Sequence, residues 1–174
     1  MHYNSQQNSS GIHTKNKVVL LVLVTGAVLF GSIIFFNTVT ASPQAGTSDA
    51  DVVIDSNWYD WGDIPINGGK VTKDFIIKNS GLETLQLRNV KTSCHCTTAS
   101  VIIEGSESAA FRMGRTSTWV GEVKPGQEAI LHVVFDPAFH GPQGTGPINR
   151  YISVEINDPS NGKLTFTLTG VVVK

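Results

Sequence analysis

Four stretches of this chain alternate apolar and polar residues with a period of two, and no amphipathic helical pattern lies between them. In Val71 to Asn79 (VTKDFIIKN), Phe75 and Ile77 share one face while Asp74 and Lys78 take the other. Ala129 to Phe135 places Leu131, Val133 and Phe135 together. Tyr151 to Ile156 does so with Ile152, Val154 and Ile156, and Leu164 to Leu168 with Leu164, Phe166 and Leu168. Successive side chains of a strand point to opposite faces, so each run predicts a strand with one face on a core and one in water.

The breaks between the runs carry turn chemistry. Asn79-Ser80-Gly81 and Asn161-Gly162 offer residues that tolerate positive φ. Lys124-Pro125-Gly126-Gln127 fits a type II turn, with Pro second and Gly third. Pro159 closes the strand before it, because proline cannot donate to a ladder. Leu85 to Thr92 breaks phase: Leu85 and Leu87 agree, but Val90 falls on the opposite face. A bulge near Asn89 restores the phase and re-aims the residues downstream of it, Cys94 and Cys96 included. Strands at this spacing predict an all-β fold, a sandwich of two antiparallel sheets, over residues 51–174.

Upstream, Val18 to Phe36 is an uncharged and mostly apolar run. As a helix it spans roughly 28 Å, about the hydrocarbon thickness of a bilayer. His13, Lys15 and Lys17 precede it, and no charge follows before Asp49. The positive-inside bias then places residues 1–17 in the cytoplasm as a disordered tail and the C-terminal domain outside. A cleaved signal peptide ending at Val39-Thr40-Ala41 is the rival, but the run exceeds the usual signal core. The expected organisation is therefore a single N-terminal transmembrane helix at 18–36 in contact with the lipid bilayer, a flexible stalk at 37–50, and one extracytoplasmic domain at 51–174. Thirteen basic and fourteen acidic residues are interspersed, so the electrostatic footprint of nucleic-acid binding is missing.

The domain resembles the bacterial domain of unknown function 1573 family, related to immunoglobulin-like domains of the ASPM/SPD-2/Hydin type. The marks run from about Trp58 to the C-terminus. They are Trp61-Gly62-Asp63-Ile64, Gly69-Lys70-Val71-Thr72 with Phe75, Asn79-Ser80-Gly81, Thr92-Ser93-Cys94-His95-Cys96-Thr97, Lys124-Pro125-Gly126, Phe135-Asp136-Pro137 with His140-Gly141-Pro142, Arg150, and Asn157-Asp158-Pro159. The resemblance implies an immunoglobulin-like fold and a cell-envelope location, and no activity. The position between the cysteines is often Gly in that family, so His95 is a departure.

The chain's two cysteines are Cys94 and Cys96, with His95 between them. On an extended strand such a pair shares a face, with Cα atoms roughly 6.5–7 Å apart. That is at or beyond the limit for a disulfide unless the chain kinks. Three readings stay open: thiols packed as small hydrophobes, a metal site, or a redox-active or structural disulfide. For a metal, the candidate ligands are Cys94, Cys96, Met113 in the irregular stretch Gly105 to Gly121, and His140 in the turn-rich stretch Pro137 to Pro147. Two thiolates with a thioether or imidazole select Cu(I), or Zn(II) if histidine dominates. His132 is expected to face solvent, and His95 to point away from the sulfurs unless the segment turns.

No nucleophile elbow, zinc-protease motif or phosphate loop is present in the sequence, so no enzyme is expected. Asp60 and Asp63 read as turn residues. Trp58, Tyr59 and Trp61 read as a cap on one end of the core. Arg150 is expected to pair with Asp136 or Asp158. The function these readings favour is a non-catalytic binding or scaffolding module of the cell envelope with an unidentified envelope protein partner. Copper handling and thiol–disulfide exchange are the alternatives.

Overall fold

The computed structural model describes residues 51–174. The expected tail, transmembrane anchor and stalk at 1–17, 18–36 and 37–50 lie outside the described residues. Two sheets pack face to face. The first holds β1 (Val52–Ile54), β3 (Val71–Asn79), β9 (Glu128–Phe135) and β5 (Thr97–Ile103) in that order, with β6 (Ser106–Glu107) and β7 (Phe111–Arg112) both pairing on the far side of β5. The second has the order β2 (Trp58–Pro65), β11 (Lys163–Val173), β10 (Gly146–Ile156), β4 (Leu85–Thr92), β8 (Val120–Val123). A short 3₁₀ turn, Gly141–Gly144, precedes β10, and no α-helix occurs among the described residues.

The four alternating runs are strands with the expected faces inward: Phe75, Ile77, Leu131, Val133, Ile152, Val154, Phe166 and Leu168 are fully buried. They fill one core between the sheets, with Phe75 and Phe166 in ring contact at 4.9 Å. Burying each such side chain stabilises the fold by about 1.5–3 kcal/mol before entropy is subtracted. The type II turn is present, with Gly126 at φ 77° and the Gln127 N–H donating to the Lys124 carbonyl at 3.0 Å.

Three expectations need correction. The sheets are not wholly antiparallel, because β2 runs parallel to β11. Only three residues separate β1 from β2, so the entering strand changes sheets at once and arrives beside the last strand in its own direction. Asp60 and Asp63 are strand residues flanking a bulge rather than turn residues. There Gly62 takes φ 65°, its N–H bonded to Asp60 Oδ1 at 3.0 Å, and the β2–β11 register shifts. Finally, neither Gly81 nor Gly162 adopts positive φ. Buried Asn79 shapes the first turn instead, accepting from the Gly81 N–H at 3.0 Å and donating to the Glu83 and Val123 carbonyls at 2.8 Å.

The bulge in β4 is where the broken phase required it. Asn89 has φ 49°, and the pairing with β10 steps from Ser153–Lys91 to Glu155–Arg88, so two β4 residues oppose one. Its amide donates to Glu155 Oε2 at 2.7 Å. A slip of one residue exchanges the faces of everything downstream. Past Asn89 the inward positions become Val90 and Thr92, both buried. The next residues in that phase are Cys94 and Cys96.

Candidate functional site

The segment Ser93–Cys96 is the link by which the chain crosses from β4 in one sheet to β5 in the other. It is a turn, not an extended strand. The Thr97 N–H donates to the Cys94 carbonyl at 3.2 Å, and the Thr92 hydroxyl reaches the same oxygen at 3.2 Å. Ser93 ties the turn to β10, its N–H donating to the Tyr151 carbonyl and its hydroxyl accepting from the Tyr151 N–H, both at 2.9 Å. The Asp136 N–H donates to the Cys96 carbonyl at 2.9 Å. So held, the Cys94 and Cys96 Cα atoms lie 5.2 Å apart and the sulfurs are joined as a disulfide. The separation expected for an extended strand is thereby corrected.

The registers bring the ends of β2, β4, β9 and β11 and the starts of β3, β5 and β10 to one end of the sandwich. A second small cluster fills that end: Ile64, Cys96, Phe135, Ile148 and Val172, with Trp61, Ile66, Val71 and Cys94 packed against it. Trp61 fulfils the capping role. It stacks on Phe135 at 5.7 Å and touches the main core as well. Trp58 does not; it is 54% exposed, because the outward phase of β2 carries it into solvent.

The two sulfurs have different surroundings. Cys96 is buried, at 2% exposure, with the Thr97 hydroxyl 3.6 Å from its sulfur. Cys94 is half-buried, and its sulfur lies 3.7 Å from His140 Nε2. His140 is exposed in the loop after β9, edge-on to Phe139 at 5.0 Å. That loop leaves room for it: a Cβ at Gly144 would stand 3.2 Å from the His140 Cβ.

Arg150 completes the site in a way the sequence reading missed. It does not pair with Asp136 or Asp158; its Nε–H donates to Cys96 Sγ at 3.2 Å and its Nη1–H to the Asn149 carbonyl at 2.9 Å. The guanidinium lies 5.6 Å over the Phe135 ring. Among the described residues no carboxylate comes within salt-bridge distance of it. Burial lowers its pKa, which is the signature of a cation held partly out of water without an anion beside it. The signal was available in the phase of β10: counting back by twos from Ile156, Val154 and Ile152 makes position 150 inward-facing.

Of the four candidate ligands, the structure brings three together. Reactive atoms of Cys94, Cys96 and His140 lie within 4.8 Å of one another. Met113 is elsewhere, half-exposed in a cleft with His95, Arg112 and Arg115. His95 is exposed, is not part of that cluster, and also borders a small cleft of about 130 Å³ with Cys96, Lys70, Arg112 and Asp136. His132 is half-buried rather than freely solvated, its Nδ1 2.6 Å from Asp74 Oδ1, directly across from it on β3.

Residues 52–109 match the family described as "Protein of unknown function (DUF1573)", which bears out the family resemblance over those residues. None of the curated proteins matches the chain. Among solved structures, a protein of unknown function from Porphyromonas gingivalis W83 is similar at 23% identity and a TM-score of 0.55, over 75% of this chain and 51% of that one. The chain thus spans about half the length of that relative. A family 123 glycoside hydrolase from Clostridium perfringens is similar at 9% identity and a TM-score of 0.50, over 71% of this chain and 27% of that one. A PapD-like domain of human CEP192 is 16% identical at a TM-score of 0.45, covering 77% of this chain and 93% of that one. These likenesses concern the β-sandwich fold alone.

Proposed function

We propose that this protein is a binding module of the cell envelope, held outside the cytoplasmic membrane by an anchor at 18–36, whose working part is a reversible Cys94–Cys96 disulfide that exchanges electrons with the dithiol of a partner protein. The single observation that carries this reading is the unequal setting of a disulfide too short in span to be a staple. A cross-link between residues two apart removes little chain entropy. Yet one sulfur is half-buried beside an imidazole and the other is buried on a guanidinium that has no carboxylate within salt-bridge distance among the described residues.

The exchange follows from that inequality. A thiolate of the partner dithiol attacks Cys94 Sγ, the sulfur with access. The S–S bond breaks, and its electron pair leaves on Cys96 Sγ, where the Arg150 Nε–H already donates. A more stable leaving thiolate leaves faster. The partner's second thiolate then attacks its own sulfur in the mixed disulfide and releases Cys94. The net result is two electrons and two protons gained by the cysteine pair and one disulfide formed in the partner. Exchange with a second, more oxidising protein disulfide, which takes up the two electrons and two protons, returns the pair to its starting state.

The test is the reduction potential. The full chain is equilibrated across graded ratios of reduced to oxidised glutathione and its thiols are counted by alkylation and mass. A midpoint between about −120 and −270 mV, the range of exchange proteins, supports the reading. A midpoint below about −300 mV, where structural bonds lie, overturns it.

A further inference from the structure

We infer that the reduced pair, together with His140, forms a three-coordinate site for a soft monovalent cation, Cu(I). The inference rests on the reversible opening of the disulfide and goes one step past it, to what the opened sulfurs hold.

The donor geometry comes first. The three ligand atoms already lie within 4.8 Å of one another. A metal bound by one sulfur at ~2.3 Å and one imidazole nitrogen at ~2.05 Å sets those two ligands about 3.6–3.8 Å apart for angles between tetrahedral and trigonal. Cys94 Sγ and His140 Nε2 stand 3.7 Å apart. That edge of the site needs no movement. The other two edges open when the S–S bond is cleaved, and Cα atoms 5.2 Å apart leave the sulfurs free to separate. Cys94 and Cys96 sit in one turn fixed at both ends by Ser93 and Asp136, so the donors are presented by a short rigid segment.

Charge then chooses among metals. Binding Cu(I) to two thiols and a neutral imidazole releases two protons and leaves a complex of charge −1. Arg150, with no carboxylate within salt-bridge distance among the described residues, neutralises it from 3.2 Å. Zn(II) in the same site gives a neutral complex and leaves the guanidinium uncompensated. Thiolate ligands favour Cu(I) on softness as well. Two sulfurs and one nitrogen also fall short of the four ligands that structural zinc takes.

The experiment uses the full chain reduced anaerobically with a phosphine, which is then removed. Cu(I) is titrated in competition with a colorimetric Cu(I) chelator, and Zn(II) in parallel. The expected result is one equivalent of Cu(I), with thiolate-to-copper absorption in the near ultraviolet, and none in Cys94→Ser/Cys96→Ser. His140→Ala, and His140→Gln as a second variant of closer size, weaken binding by at least about tenfold. His132→Ala leaves it unchanged. Arg150→Leu weakens Cu(I) but not Zn(II). Equal copper in the wild type and the double-serine variant overturns the inference, as does full affinity in both His140 variants or a preference for Zn(II). Because the phosphine opens the bond in any case, a chain that counts two thiols and takes no copper defeats this inference while leaving the exchange reading intact. Failure of glutathione to reduce the pair defeats the exchange reading alone.

Discussion

Opening the Cys94–Cys96 bond should cost the fold little. In the chain-entropy description, a cross-link closing a loop of ~3 residues removes about 5.4 cal/mol/K from the unfolded chain, or about 1.6 kcal/mol at 25 °C. A 15-residue loop gives about 3 kcal/mol on the same scale. Nothing else is lost on reduction: the turn keeps its bonds to Tyr151, Asp136 and Thr97, and Cys96 keeps its apolar neighbours and the Arg150 donor. A domain of roughly 120 residues has an unfolding entropy near 250 cal/mol/K at its midpoint, so the drop should be about 6 °C. Calorimetry and urea titration of the oxidised chain against the phosphine-reduced chain measure it. Stability falling by more than about 4 kcal/mol, roughly 15 °C, would show that the bond holds the sandwich together and is a staple despite its short span.

Other consequences concern the frame. Phe75→Ala, at the centre of the core against Phe166, should lower stability by about 3–5 kcal/mol in urea titration. Asn79→Ala takes the amide donor from the Glu83 and Val123 carbonyls and leaves the Gly81 N–H only its longer bond to the Asp51 carbonyl at 3.2 Å; a loss of about 2–3 kcal/mol is expected, with faster amide exchange at Gly81. A methyl at Gly170 would meet Ile64 Cδ1 at 2.9 Å and the Gly62 carbonyl oxygen at 3.0 Å, so Gly170→Ala should cost about 1–3 kcal/mol and loosen the β2–β11 pairing, visible as lost exchange protection along β2. The Glu104 carboxyl is held below its ordinary pKa, first by the Gln127 side-chain amide at 2.8 Å and then by the Lys124 ammonium. Its contribution is present above the unfolded-chain pKa and is lost as pH falls through the lower folded value. Glu104→Gln should therefore lower stability slightly in the neutral region, converge with the wild type below the folded value, and so flatten the acid limb of the stability–pH curve.

The strands legible in the sequence are those with one wet face. The runs containing Phe75, Leu131, Ile152 and Phe166 alternate because water meets one side of them. β5 (Thr97–Ile103) does not, since Ala99, Ser100 and Val101 are all buried, and a strand without alternation leaves no periodic trace. The start of β10 hid behind Pro147 and the glycines before it, because turn residues outweighed phase. The site was legible in its composition and opaque in its geometry. Composition put two thiols and candidate imidazoles in one domain, but only folding could decide that His140 reaches Cys94 while Met113 and His95 turn elsewhere. One residue links the two levels. Asn89 inserts a single extra position into β4, and with it Thr92, the last strand residue before the cysteine turn, takes the inward phase. Without that insertion Thr92 would face outward, and the turn carrying Cys94 and Cys96 would leave β4 from the opposite face. The broken alternation at Val90 was therefore the one mark in the sequence that already pointed to the orientation of the site, because in a period-two structure a shift of one residue decides which chemistry faces the core.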